Sequence, residues 1–326
     1  MATSEQLKAL LESYSDGDEA RFLAIAMQLA AHEARQGHPK LAKELREIID
    51  SVKAKRPLGR VTAKTVPLVQ PRGELSGLLS ASYPKTRLSD MCLPADVLSR
   101  LHRIIREHRQ EHKLRTHGLV PRRKILLLGP PGSGKTMTAS ALAGEMDLPL
   151  FTIVLEVLIT KFMGETAAKL RLIFDSIQQV RGVYLFDEFD SIGSKRILAN
   201  DVGEIRRILN SFLQFLEKDE SGGIIVAATN HPDLLDQALF RRFDDVIDFS
   251  LPKDDLIEKA LRNFLSAMDT SGINWKALVD AARGLSYSDI NHACENAAKE
   301  VILKDSKKIG THDLLEALKE RNAPLR

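Results

Sequence analysis

The sequence predicts an α/β protein: a parallel sheet with helices on both faces, followed by a small all-helical unit and preceded by a helical hairpin or bundle. Three observations carry this. Short apolar runs at 125–128, 150–154, 183–186, 224–228 and 246–249 alternate with helical patterns. The runs are continuously apolar, as strands buried on both faces require. After Pro252 only helical patterns remain, over 254–267, 274–282, 287–304 and 312–320.

Taken in order, residues 4–54 read as two or three helices. Phe22, Ile25, Ala26 and Leu29 form one apolar stripe, and Leu41, Leu45, Ile48, Ile49 and Val52 form a second after the Gly37-His38-Pro39 break. Such a hairpin could be an adaptor or simple packing onto the next domain. Residues 55–88 hold four prolines and three glycines and read as an extended connector. The piece 75–83, LSGLLSASY, is too apolar for a solvated linker and suggests docking on a neighbour. One helix is expected over 95–116, then strand 125–128, helix 135–146, strand 150–154, helix 165–179, strand 183–186, helix 203–217 and strands 224–228 and 246–249. The domains expected are 1–54 (helical), 55–88 (connector), 89–251 (sheet) and 252–326 (a second, all-helical unit).

The composition fits a soluble globular chain of 326 residues, 44% hydrophobic and 28% charged. No apolar run approaches the ~20 residues of a membrane span, and the first residues lack a secretory pattern. Cys92 and Cys294 form no CxxC, which excludes a disulfide framework and a cysteine zinc site. The expected compartment is the cytoplasm. The net charge of +3 hides an asymmetry: 53–124 holds 17 Lys/Arg against 5 Asp/Glu, a net of +12, leaving 3 − 12 = −9 elsewhere. That stretch could attract nucleic acid or form a solvated linker and helix face. Its histidines, His102, His108, His112 and His117, are expected on an exposed helix surface.

The chemistry begins at 129–136, GPPGSGKT, between a strand and a helix. This is GxxxxGK[ST] in the context it needs. Gly132 and Gly134 let backbone N–H groups turn inward around phosphate oxygens, with Pro131, Ser133 and Met137 beside them. The helix N-terminus adds partial positive charge. Lys135 supplies a point charge, and the Thr136 hydroxyl can ligate Mg²⁺. The run VYLF ends in Asp187-Glu188. Asp187 can hold hydrated Mg²⁺ opposite Thr136, and Glu188 can polarise an attacking water. Asp190 reads as a helix cap. The next strand ends in Thr229-Asn230, where an amide can meet the γ-phosphate or the water. Arg241 and Arg242 follow, 11 and 12 residues beyond Asn230. Supplied to a neighbouring subunit, they could stabilise charge on a γ-phosphoryl group; alternatively they pair with Asp244 and Asp245.

These segments, GPPGSGKT, VYLFDEFD, IIVAATN and LFRRFDDVI, resemble the AAA+ ATPases near the katanin, spastin and FtsH branch, over about residues 88–326. The resemblance implies a nucleotide-binding α/β subdomain, a helical lid, ATP and Mg²⁺ as cofactors, and a hexameric homo-oligomer. It implies Lys135 and Thr136 as Walker A residues, Asp187 and Glu188 as the Walker B pair, Asn230 as sensor 1, and Arg241 and Arg242 as arginine fingers. Lys161, Phe162 and Met163 fall where the branch carries an aromatic pore loop, although Phe162 could also be buried. The stretch 284–290, GLSYSDI, resembles the sensor-2 segment GxSGAD, with Tyr287 for glycine and Ser288 for alanine; Ser286 and Asp289 also fit a capping box. No HExxH is present, so no zinc protease is expected in this chain.

The expectation is a cytoplasmic Mg²⁺-ATP hydrolase that forms a ring and remodels a protein substrate, with a separate protease as a conceivable partner and no membrane. The alternatives are an ATPase acting on nucleic acid through 53–124, and a nucleotide-gated scaffold with slow hydrolysis.

Overall fold

The computed structural model describes residues 73–155, 166–189, 202–235, 237–304, 306 and 308–322. The chain divides into two compact units, Met1–Leu68 and Val69–Arg326, and every described residue belongs to the second. The expected N-terminal helices, most of the connector, Lys161, Phe162, Met163 and Asp190 lie outside the described residues.

Among the described residues six strands form one sheet: β1 (Leu79–Ser82), β2 (Lys124–Leu128), β3 (Leu150–Ile153), β4 (Val183–Phe186), β5 (Ile224–Thr229) and β6 (Asp245–Asp248). Their order is β1-β3-β4-β5-β2-β6. All neighbours are parallel except β1, which pairs antiparallel with β3, Leu79 opposite Ile153 and Ser82 opposite Leu150. The connector reading is corrected here: 79–82 is an edge strand, and Leu78 and Leu79 are buried.

The continuous apolar runs exist because the sheet has two buried faces. Side chains alternate across each strand. Tyr184 and Phe186 of β4, with Ile225 and Ala227 of β5, pack beneath α4 (Thr166–Gln179) and α5 (Val202–Lys218) through Ile173, Phe174, Ile177 and Phe212. Val183, Leu185, Ile224 and Val226 face the other way, onto α1 (Ala95–Arg109) and α3 (Lys135–Glu145) through Leu101, Ile104, Ile105, Ala139 and Leu142. The expected helix over 95–116 is two: α1 ends at Arg109, and α2 (Glu111–Arg115) follows after Gln110 leaves helical geometry at φ −108° and ψ 23°. Tyr184 resolves its buried hydroxyl by donating to the carbonyls of Val180 (2.9 Å) and Ser176 (3.2 Å); burial raises its pKa to about 12.

After the short helix α6 (Gln237–Phe240) the chain returns to the sheet as β6, and beyond β6 it forms a lid of four helices. These are α7 (Asp254–Phe264), α8 (Trp275–Ala282), α9 (Tyr287–Leu303) and α10 (Thr311–Asn322). Ile257, Leu261, Leu278, Ile290, Ala297, Leu314 and Leu318 form its separate core. Cys92 and Cys294 are both buried and unpaired. No helix among the described residues is long and apolar enough to cross a membrane.

Among the described residues, six arginines of the basic stretch are paired within the chain. Arg87 pairs with Asp147, Arg100 and Arg122 with Asp245, Arg109 with Glu145, Arg115 with Glu111, and Arg123 with the buried Asp219. Lys85, Arg103, Arg106 and Lys113 are exposed and in no ion pair among the described residues, so part of the positive surface stays open.

His108 departs from expectation. It is buried at 6% exposure, with Nε2 2.7 Å from the Arg122 carbonyl, and Nδ1 has no hydrogen-bond partner among the described residues. Burial pushes its pKa below the ordinary imidazole value, opposed in part by that carbonyl and by Glu111 and Glu107. The unfolded chain therefore takes up this proton first as pH falls. The stability contributed by the neutral ring is present above the ordinary imidazole pKa and is lost on acidification through it. Thermal midpoints measured from about pH 7.5 to about pH 5.5 should fall less in His108→Gln than in the wild type; parallel curves would refute this.

Candidate functional site

Strand order places the expected residues on one rim. The C-terminal ends of β4, β5 and β2 are adjacent, with Phe186 opposite Ala227 and Leu128 opposite Thr229. Asp187, Asn230 and the loop after Leu128 therefore emerge side by side, outside the carboxyl ends of parallel strands where ligands of such sheets bind.

The loop between β2 and α3 has the backbone that its glycines permit. Gly132 has φ +72° and Gly134 φ +100°, the latter as the residue before the first turn of α3. A Cβ on Gly132 would stand 2.4 Å from Ser286 Oγ and 2.9 Å from Ser288 Cβ. The lid thus rests directly on the loop, and the Ser288 N–H donates to the Gly132 carbonyl at 3.3 Å. Lys135 folds inward, its Nζ donating to the carbonyls of Gly129 (2.7 Å) and Pro130 (2.8 Å).

Asp187 and Glu188 are positioned by the aromatic residues that flank them. Phe186 and Phe189 are both fully buried and both pack on Phe212, at centroid distances of 5.0 and 4.7 Å. The two carboxylates between them are confined to a tight turn. Glu188 takes φ +49°, a left-handed conformation costing roughly 1–3 kcal/mol in a non-glycine residue. Asp187 holds the turn from both sides: its Oδ2 accepts from Thr136 Oγ1 at 2.7 Å, and its Oδ1 accepts from the Glu188 N–H at 2.9 Å.

These groups line an open cleft of about 540 Å³ between the sheet rim and the lid. Pro131, Gly132, Gly134, Lys135, Thr136, Met137, Asp187, Glu188, Asn230 and Ser288 all border it. Ser133 does not; it is 1% exposed, and its hydroxyl has no hydrogen-bond partner among the described residues. Arg241 and Arg242 also lie outside this lining and are exposed. Neither pairs with Asp244 or Asp245. Asp244 accepts from the backbone N–H groups of Arg123 and Lys124 at 2.9 Å, Asp245 holds Arg100 and Arg122, and Arg242 pairs with Glu217.

Beside Tyr287 and Ser288, which the sequence singled out, the lid contributes two lining residues that the sequence reading passed over, Phe264 and Asn291. They come from the end of α7 and the first turns of α9. A tyrosine where the sensor-2 pattern has glycine was the one available signal. The tyrosine hydroxyl is buried without a partner among the described residues, and burial raises its pKa, with Cys92 and Asp255 adding to the rise. Ser286 and Asp289 do form a capping box, Ser286 Oγ accepting from the Asp289 N–H at 3.2 Å.

The residues fit a nucleoside triphosphate and Mg²⁺. The glycine cradle leaves no room for a side chain. Thr136 and Asp187 offer a hydroxyl and a carboxylate already 2.7 Å apart, the oxygen donors Mg²⁺ prefers. No group of three or more His, Cys, Asp or Glu side chains suited to a metal occurs among the described residues. Mg²⁺ at a triphosphate takes most of its ligands from phosphate and water, so it needs no such cage.

Fold and site together define a phosphate-loop nucleoside triphosphatase. A profile of the AAA family, "ATPase family associated with various cellular activities", matches residues 125–251. An uncharacterized AAA family ATPase, y4kL of Sinorhizobium fredii, is 32% identical over 325 residues, covering 98% of this chain and 96% of that protein. The proteasome-activating nucleotidases of Methanococcus maripaludis (strain DSM 14266) and Saccharolobus solfataricus are 33% and 36% identical over 208 and 214 residues, covering 62% and 63% of this chain. The chain spans about half the length of these nucleotidases, 51% and 54%. The FIGL-1 AAA domain crystal structure superposes with a TM-score of 0.62 at 25% identity, covering 75% of this chain and 86% of that one. The chain belongs to the AAA family of ATPases and is an ATP hydrolase.

Proposed function

We propose that the protein is a Mg²⁺-ATP-driven ring that remodels, unfolds or disassembles protein substrates. The observation that carries the nucleotide half is the Thr136–Asp187 contact of 2.7 Å beside the glycine cradle, facing a cleft that the lid closes. The protein-remodelling half draws support from relatives named for activating a proteasome and from the FIGL-1 likeness.

In this reading the loop N–H groups and Lys135 hold the phosphates, Lys135 giving up the Gly129 and Pro130 carbonyls to do so. Pro131, Ser133 and Met137 belong to the same nucleotide-binding segment, Ser133 through its backbone. Thr136 and Asp187 would hold Mg²⁺, which when bound neutralises charge on the β- and γ-phosphates. Glu188 accepts a proton from the attacking water. Asn230 orients the γ-phosphate or that water. Arg241 and Arg242 complete the site of the next subunit in a hexamer. Lys161, Phe162 and Met163 grip an extended polypeptide through sequence-tolerant apolar contact. Residues 1–54 select the substrate, 89–251 together with β1 form the sheet subdomain, and 252–326 are the lid. A reducing cytoplasm suits two buried, unpaired thiols. The nucleic-acid alternative keeps Lys85, Arg103, Arg106 and Lys113 as exposed cations, although six other arginines of 53–124 are engaged within the chain.

One experiment tests both halves of the assembly claim. The full chain and Lys135→Ala are compared for ATP affinity and for sedimentation with and without ATP. Lys135→Ala should bind ATP about 10²-fold more weakly and fail to assemble, because a charge-assisted contact is lost. Undiminished binding would overturn the cradle assignment. A wild type that stays monomeric in saturating ATP while hydrolysing it rapidly would overturn the ring.

A further inference from the structure

Strand β4 alternates its side chains between the two faces of the sheet. Tyr184 and Phe186 pack with the layer of α4 and α5, and Val183 and Leu185 with the layer of α1 and α3. Carried on for two residues, the same alternation would send Asp187 toward α3 and Glu188 into the layer of α4 and α5. Asp187 follows it: its Oδ2 meets Thr136, in the first turn of α3, at 2.7 Å. Glu188 does not. It is exposed and lines the cleft, while Phe189 is fully buried in the same cluster as Tyr184, Phe186 and Phe212.

The alternation breaks at the left-handed backbone of Glu188, φ +49°. One side chain is turned out, and the next takes the apolar place that it would have filled. A carboxylate in that place would be cut off from water among phenylalanine rings, which is strongly unfavourable. Burial of the Phe189 ring drives the exchange, and the backbone at Glu188 absorbs the torsional cost.

Phe212 is the seat that receives that ring. It is fully buried on α5, with its centroid 4.7 Å from Phe189, 5.0 Å from Phe186 and 5.8 Å from Phe174 of α4. Both residues that bracket the two carboxylates thus rest on one ring from a separate helix. The Asp187 Oδ1 bond to the Glu188 N–H, 2.9 Å, closes the turn but ties it to no other element. Among the described residues no hydrogen bond reaches the Glu188 carboxylate itself, so the turn alone sets its direction.

We propose that Phe212 is a positioning residue for ATP hydrolysis: by seating Phe189 it holds the left-handed turn that presents the Glu188 carboxylate to the attacking water. The inference rests on the reading of Glu188 as the group that takes the water's proton, and it adds what keeps that group in place.

The test is a double-mutant cycle on the full chain, with turnover read by phosphate release at saturating ATP and affinity by calorimetry with ADP. Phe212→Leu keeps an apolar side chain in the core and removes the ring. It should lower turnover about 10–10²-fold while ADP affinity stays within about twofold, because a reacting group is misplaced and the cradle is not. In the Glu188→Gln background the same substitution should cost no more than about twofold, since no carboxylate is left to misplace. Phe151→Leu removes another buried ring, stacked on Tyr184 at 4.7 Å, and should leave turnover within about twofold. Phe189→Leu should reproduce Phe212→Leu in both backgrounds, and it gives the same reading where Phe212→Leu lowers the folded fraction. A merely structural role would lower turnover by the same factor with and without the Glu188 carboxylate, and that additivity would overturn the proposal. So would wild-type turnover in Phe212→Leu, or an equal loss in Phe151→Leu. Glu188→Gln turning over at the wild-type rate would instead overturn the reading of Glu188 beneath it.

Discussion

Glu188→Gln is expected to bind ATP with near wild-type affinity and to hydrolyse it about 10²–10⁴ times more slowly. The substitution keeps the side chain's size and removes its capacity to take a proton. It leaves intact the contacts that set the turn, because Asp187 bonds the backbone N–H of residue 188 and the Thr136 hydroxyl, not the Glu188 side chain. Glu188 is exposed in the cleft, where a water beside the γ-phosphate can reach it. Binding is read by calorimetry and turnover by phosphate release. The variant should also accumulate in the assembled state, and proteins trapped on it would identify the substrate class. Turnover at the wild-type rate would remove Glu188 from the water-activating role.

The second large effect is expected from the arginines. Arg241→Ala combined with Arg242→Ala should lower ATP turnover about 10³–10⁵-fold with little change in ATP affinity, since an arginine supplied to the transferring phosphoryl group acts mainly in the transition state. The two are not equivalent in this structure. Arg242 pairs with Glu217, whereas Arg241 has no ion-pair partner among the described residues. The larger share of the loss should therefore follow Arg241→Ala. Mixing the doubly substituted subunits with Lys135→Ala subunits should restore part of the activity, because each kind then supplies what the other lacks. Mixed rings, verified as mixed, that show no recovery would refute completion of the site by a neighbour.

Much of the site was legible because its residues sit where local signals are strongest. The phosphate loop is announced by glycines between an apolar run and a helix. Asp187 and Asn230 each terminate an apolar run, and parallel strands point such ends to one rim. The edge strand β1 was harder. Four residues, Leu79–Ser82, pair with a strand some 70 positions away, and no local pattern records a partner at that distance. The excess of apolar residues in 75–83 was the trace it left. His108 was misplaced because four neighbouring histidines in a basic helix look alike in sequence; only His108 falls on the face that packs against Arg122 and the start of β2. Phe264 and Asn291 enter the cleft only because the lid folds back over the loop, a contact made by Ser288 and Gly132 and carried by tertiary packing.

The left-handed backbone at Glu188 sets two demands of natural selection against each other. Glycine would occupy that position without torsional penalty, so a chain selected for durability alone would drift toward losing its acidic side chain there. Glu188→Gly should therefore melt at a higher temperature than the wild type while losing the carboxylate that faces the cleft.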